Sequence, residues 1–127
     1  MQLHIVSDEH VRLEMDDHNG LEVVGDHFGP LQMLAASLAL CTASVIQDYA
    51  ATAHLHLHQF AVAVTWDYAE HPYRVGHMEM TLQVGPEVPP NRQKAILRAA
   101  EQCTVHNTLT HGAQINMRLE VPGAEQA

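Results

Sequence analysis

Gly29-Pro30-Leu31-Gln32-Met33-Leu34-Ala35-Ala36-Ser37-Leu38-Ala39-Leu40-Cys41-Thr42-Ala43-Ser44 is the stretch on which the fold turns. A proline just after a glycine suits a helix start, because the N–H that proline lacks has no intrahelical partner in the first turn. From Leu31 to about Ala53 neither Gly nor Pro interrupts the chain, and Leu31, Leu34, Leu38, Cys41 and Val45 recur at three- and four-residue spacing. Ala35, Ala36, Ala39, Ala43 and Ala50 fill positions between them. The pattern predicts one long helix over residues 30–53, apolar nearly all round and therefore central and buried. Its most apolar part, Leu31 to Ile46, is broken by Gln32, Ser37, Thr42 and Ser44 and reads as shorter than the roughly 20 residues a bilayer needs.

On the N-terminal side, Leu3-His4-Ile5-Val6, the alternating Val11-Arg12-Leu13-Glu14-Met15 and Leu21-Glu22-Val23-Val24 read as short strands, with Asp17-His18-Asn19-Gly20 as a turn. On the C-terminal side the apolar period changes to two. Leu55, Leu57, Phe60, Val62, Val64 and Trp66 suggest a long strand with one slip of phase near Gln59. Asp67 to Pro72 connects it to a returning strand, Val75 to Val84, with Met78, Met80 and Leu82 on one face. A second helix is expected from about Pro90 to Gln102, a short helix or turn over Thr104 to Thr110, and a last strand from Ile115 to Val121. The tail from Pro122 to Ala127 is expected to fray. The chain reads as one α+β domain over 1–127: N-terminal strands in 1–28, the central helix in 30–53, and strand–strand–helix–strand in 55–121.

Length and charge narrow the function. At 127 residues the chain holds one domain, and 46% hydrophobic residues argue for a folded core. A core of this size leaves much surface unburied, so a partner chain is expected. Six Lys+Arg against 15 Asp+Glu give a net charge of −9, the wrong sign for nucleic acid or for an anionic membrane surface. Met1-Gln2-Leu3-His4 has no basic head before an apolar run, which makes the cytoplasm the expected compartment.

There, two cysteines are inert core thiols, a metal pair or a redox pair rather than a structural disulfide. Cys41 shares the Leu34/Leu38/Val45 face, so it is either a small buried hydrophobe or a nucleophile. A mid-helix thiol gains little from its own helix dipole, so a reactive Cys41 calls for a nearby Arg or a hydrogen-bonding partner. Cys103 stands where the second helix closes, and a thiol at an element end is suited to moving toward another. His106 follows at Cys-x-x-His spacing. His54-Leu55-His56-Leu57-His58 would place three imidazoles about 7 Å apart along one strand face, either a solvated surface or, with a further ligand, a zinc site.

The helix stretch quoted above resembles the central-helix motif of the OsmC/Ohr family, in which a Pro-led Leu/Ala helix runs into a Cys and a small residue. Ala99-Ala100-Glu101-Gln102-Cys103-Thr104-Val105-His106-Asn107-Thr108-Leu109 resembles that family's second cysteine segment. The likeness spans roughly residues 20 to 120 with both segments in order. It implies an OsmC-like α+β fold, with antiparallel sheets around a long buried helix and two chains intertwined as a homodimer whose active sites lie at the interface. It also implies a thiol-dependent peroxidase of oxidative-stress defence that reduces organic hydroperoxides without haem, metal or other cofactor. Cys41 would attack the peroxide and become a sulfenic acid; Cys103 would condense with it to a disulfide, and a dithiol reductant would reopen the bond. Peroxidase members carry an acid at the helix start that positions an Arg beside the thiolate. Here Leu31 and Gln32 stand at those positions, so Gln32 takes the acceptor role and Arg12, on an N-terminal strand, supplies the guanidinium. The alternative is an OsmC-fold protein that senses redox state or binds a small apolar ligand, with weak or no peroxidase activity.

Overall fold

The computed structural model describes residues 1–17 and 20–123. Elements follow in the order β1 (Gln2–Ser7), β2 (His10–Glu14), β3 (Glu22–Val24), α1 (Pro30–Thr52), β4 (Ala61–Ala69), β5 (Arg74–Gln83), α2 (Pro90–Ala100) and α3 (Thr104–His111). The turn expected over Asp17-His18-Asn19-Gly20 falls on His18 and Asn19, outside the described residues, as do positions 124–127 of the expected frayed tail. The strands form one sheet in the order β3-β1-β2-β4-β5. β3 runs parallel to β1, and the other neighbours are antiparallel.

Strand alternation decides what α1 meets. Leu3, Val11, Leu13, Val62, Val64 and Trp66 are buried and lie in register across the sheet as Leu3↔Leu13, Leu13↔Val62 and Val11↔Val64. The residues between them project to the opposite face. Against this surface α1 sets Ala35, Ala39 and Ala43, all buried and spaced i, i+4, i+8, followed by Ile46 and Ala50. A ridge of methyl groups lets a helix backbone lie close to a sheet. On β5, Met78, Met80 and Leu82 continue the same apolar surface opposite Trp66, Val64 and Val62. Register slips once in this hairpin, at Gly76, where a Cβ would stand 2.5 Å from that of Ala69.

Three expectations change. First, α1 is buried on one side rather than nearly all round: Met33 and Leu40 are exposed among the helix's apolar residues. At 23 residues it is also long and apolar enough, by length and composition, to cross a bilayer, whereas the sequence reading judged it too short. Its place beneath the sheet accounts for that composition.

Second, Leu55 and Leu57 are not in a strand. Ala53 and Leu55 donate to the carbonyls of Tyr49 and Ala50 at 2.9 and 2.8 Å, His54 adopts φ 55°, and β4 begins at Ala61. Helix-closing bonds therefore take the residues that the alternation assigned to strand. Third, Ile115 to Val121 forms no ladder with the described residues. Ile115, Met117, Leu119 and Val121 are 81%, 93%, 89% and 60% exposed. The alternation is real, but among the described residues it has nothing to pair with.

Candidate active site

The second cysteine is delivered to the first by a tight turn between two helices. Gln102 and Cys103 donate to the carbonyls of Ala99 and Ala100 at 3.0 and 3.3 Å, closing α2. Cys103 then takes an extended conformation (φ −65°, ψ 127°) and becomes the N-cap of α3, its Sγ accepting from the His106 N–H at 3.3 Å. Because α2 and α3 both pack on α1, this corner lies against the middle of the central helix, where Cys41 is. Both thiols are reduced; Cys41 is half-buried and Cys103 is fully buried.

The two sulfurs share a proton unequally. Burial pushes the Cys41 thiol up. Hydrogen bonds from the Cys103 thiol and from the backbone N–H groups of Val105 and Thr104 outweigh it and leave Cys41 below the ordinary thiol range. Burial also raises Cys103, and its hydrogen bond with Cys41 raises it further. The His106 N–H and the Thr42 hydroxyl pull it down, charge on Cys41 pushes it up again, and the net shift is upward. The pair therefore loses its first proton from Cys41, while Cys103 stays a thiol and donates to the new thiolate.

A mid-helix thiol does receive help from a helix dipole, but from that of α3, whose first N–H groups point at it. Helix N-termini lower thiol pKa values in this way. Sequence could not show this, because a backbone amide has no residue signature. What it could show was a Cys followed by a helix-compatible segment that makes Cys103 an N-cap.

The structure brings Cys41 and Cys103 together but places neither Arg12 nor Gln32 with them in this chain. Arg12 alternates with the buried Val11 and Leu13 and so projects from the sheet face turned away from α1. There its Nη2 donates to Gln83 at 3.0 Å and its Nε to Glu14 at 3.4 Å. Gln32 sits nine residues before Cys41, about 13 Å along the helix axis at 1.5 Å per residue. Its Oε1 accepts from the Gly29 N–H at 3.0 Å and its Nε2 donates to Asp8 O at 2.8 Å. Those bonds fasten the start of α1 to the β1–β2 turn, and the oxygen assigned to a guanidinium has the Gly29 N–H on one of its two lone pairs.

The histidine row likewise lacks its strand. His54 lies just past the end of α1 with φ 55°, His56 and His58 stack with ring centroids 5.4 Å apart, and among the described residues no group of three or more His, Cys, Asp or Glu is arranged to hold a metal ion.

A groove of roughly 490 Å³ opens between β5 and α3, lined chiefly by Leu38, Met78, Met80, His106 and Leu109. Leu38 is three residues before Cys41, and His106 three after Cys103. The thiol pair is thus flanked by a mainly apolar groove that also carries two imidazoles, His77 and His106. The period-two run of Met78 and Met80 signalled part of this wall; Leu109 carried no comparable signal.

Comparison with known proteins agrees with this architecture. No curated protein matches the chain in sequence. Crystal structures that share its fold include two. One is an OsmC-like hydroperoxide resistance protein from Jannaschia sp., at TM-score 0.64 and 20% identity over 94% of this chain and 90% of that one. The other, described as a putative osmotic stress induced and detoxification response protein, comes from Psychrobacter arcticus, at TM-score 0.61 and 21% identity over 84% of each chain. The family described as OsmC-like protein matches residues 23–118, which include the central helix and both cysteines. The chain belongs to the OsmC-like protein family.

Proposed function

We propose that this protein is a thiol-dependent peroxidase that reduces organic hydroperoxides through Cys41 and Cys103. The observation that carries the reading is the pairing of two reduced thiols with opposite shifts. The half-exposed Cys41 is drawn toward thiolate, and the buried Cys103 is held protonated beside it. Hydroperoxide resistance in the Jannaschia protein supports the same reading.

In the first step the Cys41 thiolate attacks the terminal peroxide oxygen. An S–O bond forms, the O–O bond breaks, and the departing alkoxide takes a proton from solvent to leave as the alcohol. Cys103 then attacks the sulfur of the Cys41 sulfenic acid; an S–S bond forms, the S–O bond breaks, and the hydroxyl leaves as water with the Cys103 proton. A dithiol reductant reopens the disulfide by two exchanges and becomes a disulfide itself. The Met78/Met80/Leu109 groove suits the apolar part of an alkyl or aryl hydroperoxide better than it suits hydrogen peroxide.

The reading includes a cytoplasmic homodimer. Exposed Ile115, Met117, Leu119 and Val121, and the open Met33/Leu40 side of α1, are apolar surfaces that a second copy would cover. A second reading, a slow redox sensor on the same fold, is favoured by the position of Arg12, which supplies no positive charge to Cys41 within the chain. Stopped-flow consumption of cumene hydroperoxide with dithiothreitol separates the two. A peroxidase turns over rapidly and loses turnover in Cys41→Ser. Oxidation that is slow and stops after one equivalent identifies the sensor, and turnover unaffected by Cys41→Ser rejects both.

A further inference from the structure

His106 stands at Cys-x-x-His spacing from Cys103, a pattern that suggests an imidazole polarising that thiol. The structure divides the residue differently. Its backbone N–H reaches the Cys103 sulfur at 3.3 Å, while its half-buried side chain lines the groove between β5 and α3 with Leu38, Met78, Met80 and Leu109. The imidazole makes no hydrogen bond, ion pair or ring contact among the described residues. The other imidazole of the groove, His77, is 63% exposed and has its Nε2 at 2.9 Å from Glu79 Oε2. No Lys or Arg lines the groove, so His106 is its one uncommitted ionisable side chain. The residue also stands close to the chemistry. Its own N–H holds Cys103, and Leu38 of the same groove precedes Cys41 by three residues, nearly one helical turn.

We propose that His106 is the general acid of the peroxide-cleaving step, an assignment that deepens the peroxidase reading and rests on it. When the Cys41 thiolate attacks the terminal oxygen, an S–O bond forms, the O–O bond breaks, and its electron pair goes to the oxygen on the alkyl side. That oxygen would be a strongly basic anion in a mainly apolar groove, and an unpaired charge in such surroundings is costly. Protonated His106 gives its proton to this oxygen as the O–O bond breaks. The product leaves as the neutral alcohol, and the imidazole regains its proton from solvent. Imidazole is the side chain best suited to carry a proton near neutral pH. Thr110, one turn further along α3, also lines the groove, but a hydroxyl is not among the side chains that usually serve as general acids. The titratable groups around His106 are Cys103 at the start of its own helix, Cys41 of α1 and the His77–Glu79 pair of β5.

The test compares leaving groups. Rapid-quench assays without reductant follow the first equivalent of oxidant consumed by the full chain. Cumene hydroperoxide departs as a basic alkoxide that needs a proton; peracetic acid departs as acetate, which does not. His106→Ala and His106→Phe slow the cumene hydroperoxide reaction by about 100-fold, the lower range for general acid catalysis, and leave the peracetic acid reaction at the parent rate. Added imidazole restores the cumene hydroperoxide rate in His106→Ala, where the deleted ring leaves room for it, and not in His106→Phe. The Cys41 alkylation midpoint is the same in both variants as in the parent, because the acid acts on the leaving oxygen and not on the thiolate. Equal slowing with the two oxidants, a displaced Cys41 midpoint, or a parent-like cumene hydroperoxide rate in either variant overturns the proposal. A cumene hydroperoxide rate unchanged by Cys41→Ser overturns the peroxidase reading itself, and the general acid with it.

Discussion

Cys41 and Cys103 are the same side chain in two environments, and the difference between them is worth a division of labour. Three donors face Cys41, and the one that lowers it most, the Cys103 thiol, is itself shifted against ionising. The sign of the pH dependence follows. Because the Cys41 midpoint lies below that of a free thiol, its alkylation by iodoacetamide rises with pH through that lowered midpoint and is level above it, at pH values where free cysteine is still gaining reactivity. In Cys103→Ser the first equivalent of peroxide is still consumed, but no intramolecular disulfide forms, and the sulfenic acid persists long enough to trap; free-thiol counting and dimedone labelling read both. At this scale the sequence was informative about which sulfurs matter, since each sits in a recognisable segment. It was uninformative about what activates them. Arg12 and Gln32 were assigned by resemblance, and within this chain their side chains bond to Gln83, Glu14, Gly29 and Asp8.

The elements explain how those side chains arrive where they do. α3 begins at Thr104, just after Cys103, whose thiol caps it, and its opening amides serve Cys41. Thr104→Pro tests this directly. Proline is well tolerated in the first position of a helix, and the extended Cys103 backbone suits a following proline, yet the substitution deletes one N–H donor. The Cys41 alkylation midpoint then moves upward while the circular dichroism spectrum is retained. Gln32→Ala acts on a different element. It strips bonds from the partly buried Gly29 N–H and the Asp8 carbonyl, costs about 1–2 kcal/mol in urea unfolding, and leaves the Cys41 midpoint in place. Helix α1 and the β4–β5 hairpin were legible because their periods, 3.6 and 2, run for many residues. His54 to Gln59 misled because alternating Leu and His imitate a strand, whereas α1-closing bonds and a positive φ at His54 decide the backbone there.

For the whole molecule, the sequence of exposed and hidden apolar surface is the informative quantity. A sheet with β3 and β5 at its edges, an α1 open along Met33 and Leu40, and an alternating segment ending at Val121 leave more apolar surface uncovered than the core alone requires. In the proposed homodimer these are the parts that meet. Met117→Lys with Leu119→Lys is then expected to shift sedimentation at micromolar concentration from dimer toward monomer; an unchanged sedimentation coefficient would place the interface elsewhere. A local reading finds the alternation of residues 115–121 but no partner for it; in the proposed homodimer that partner is the second chain, and pairing between chains would leave no mark in the spacing within one. The claim on which everything else depends is the redox pairing of positions 41 and 103, and peptide mass mapping tests it most directly. Reduced protein treated with one equivalent of cumene hydroperoxide should yield a single disulfide joining Cys41 to Cys103, preceded by sulfenic acid at Cys41 alone. Recovery of both thiols reduced, or oxidation appearing first at Cys103, would contradict it.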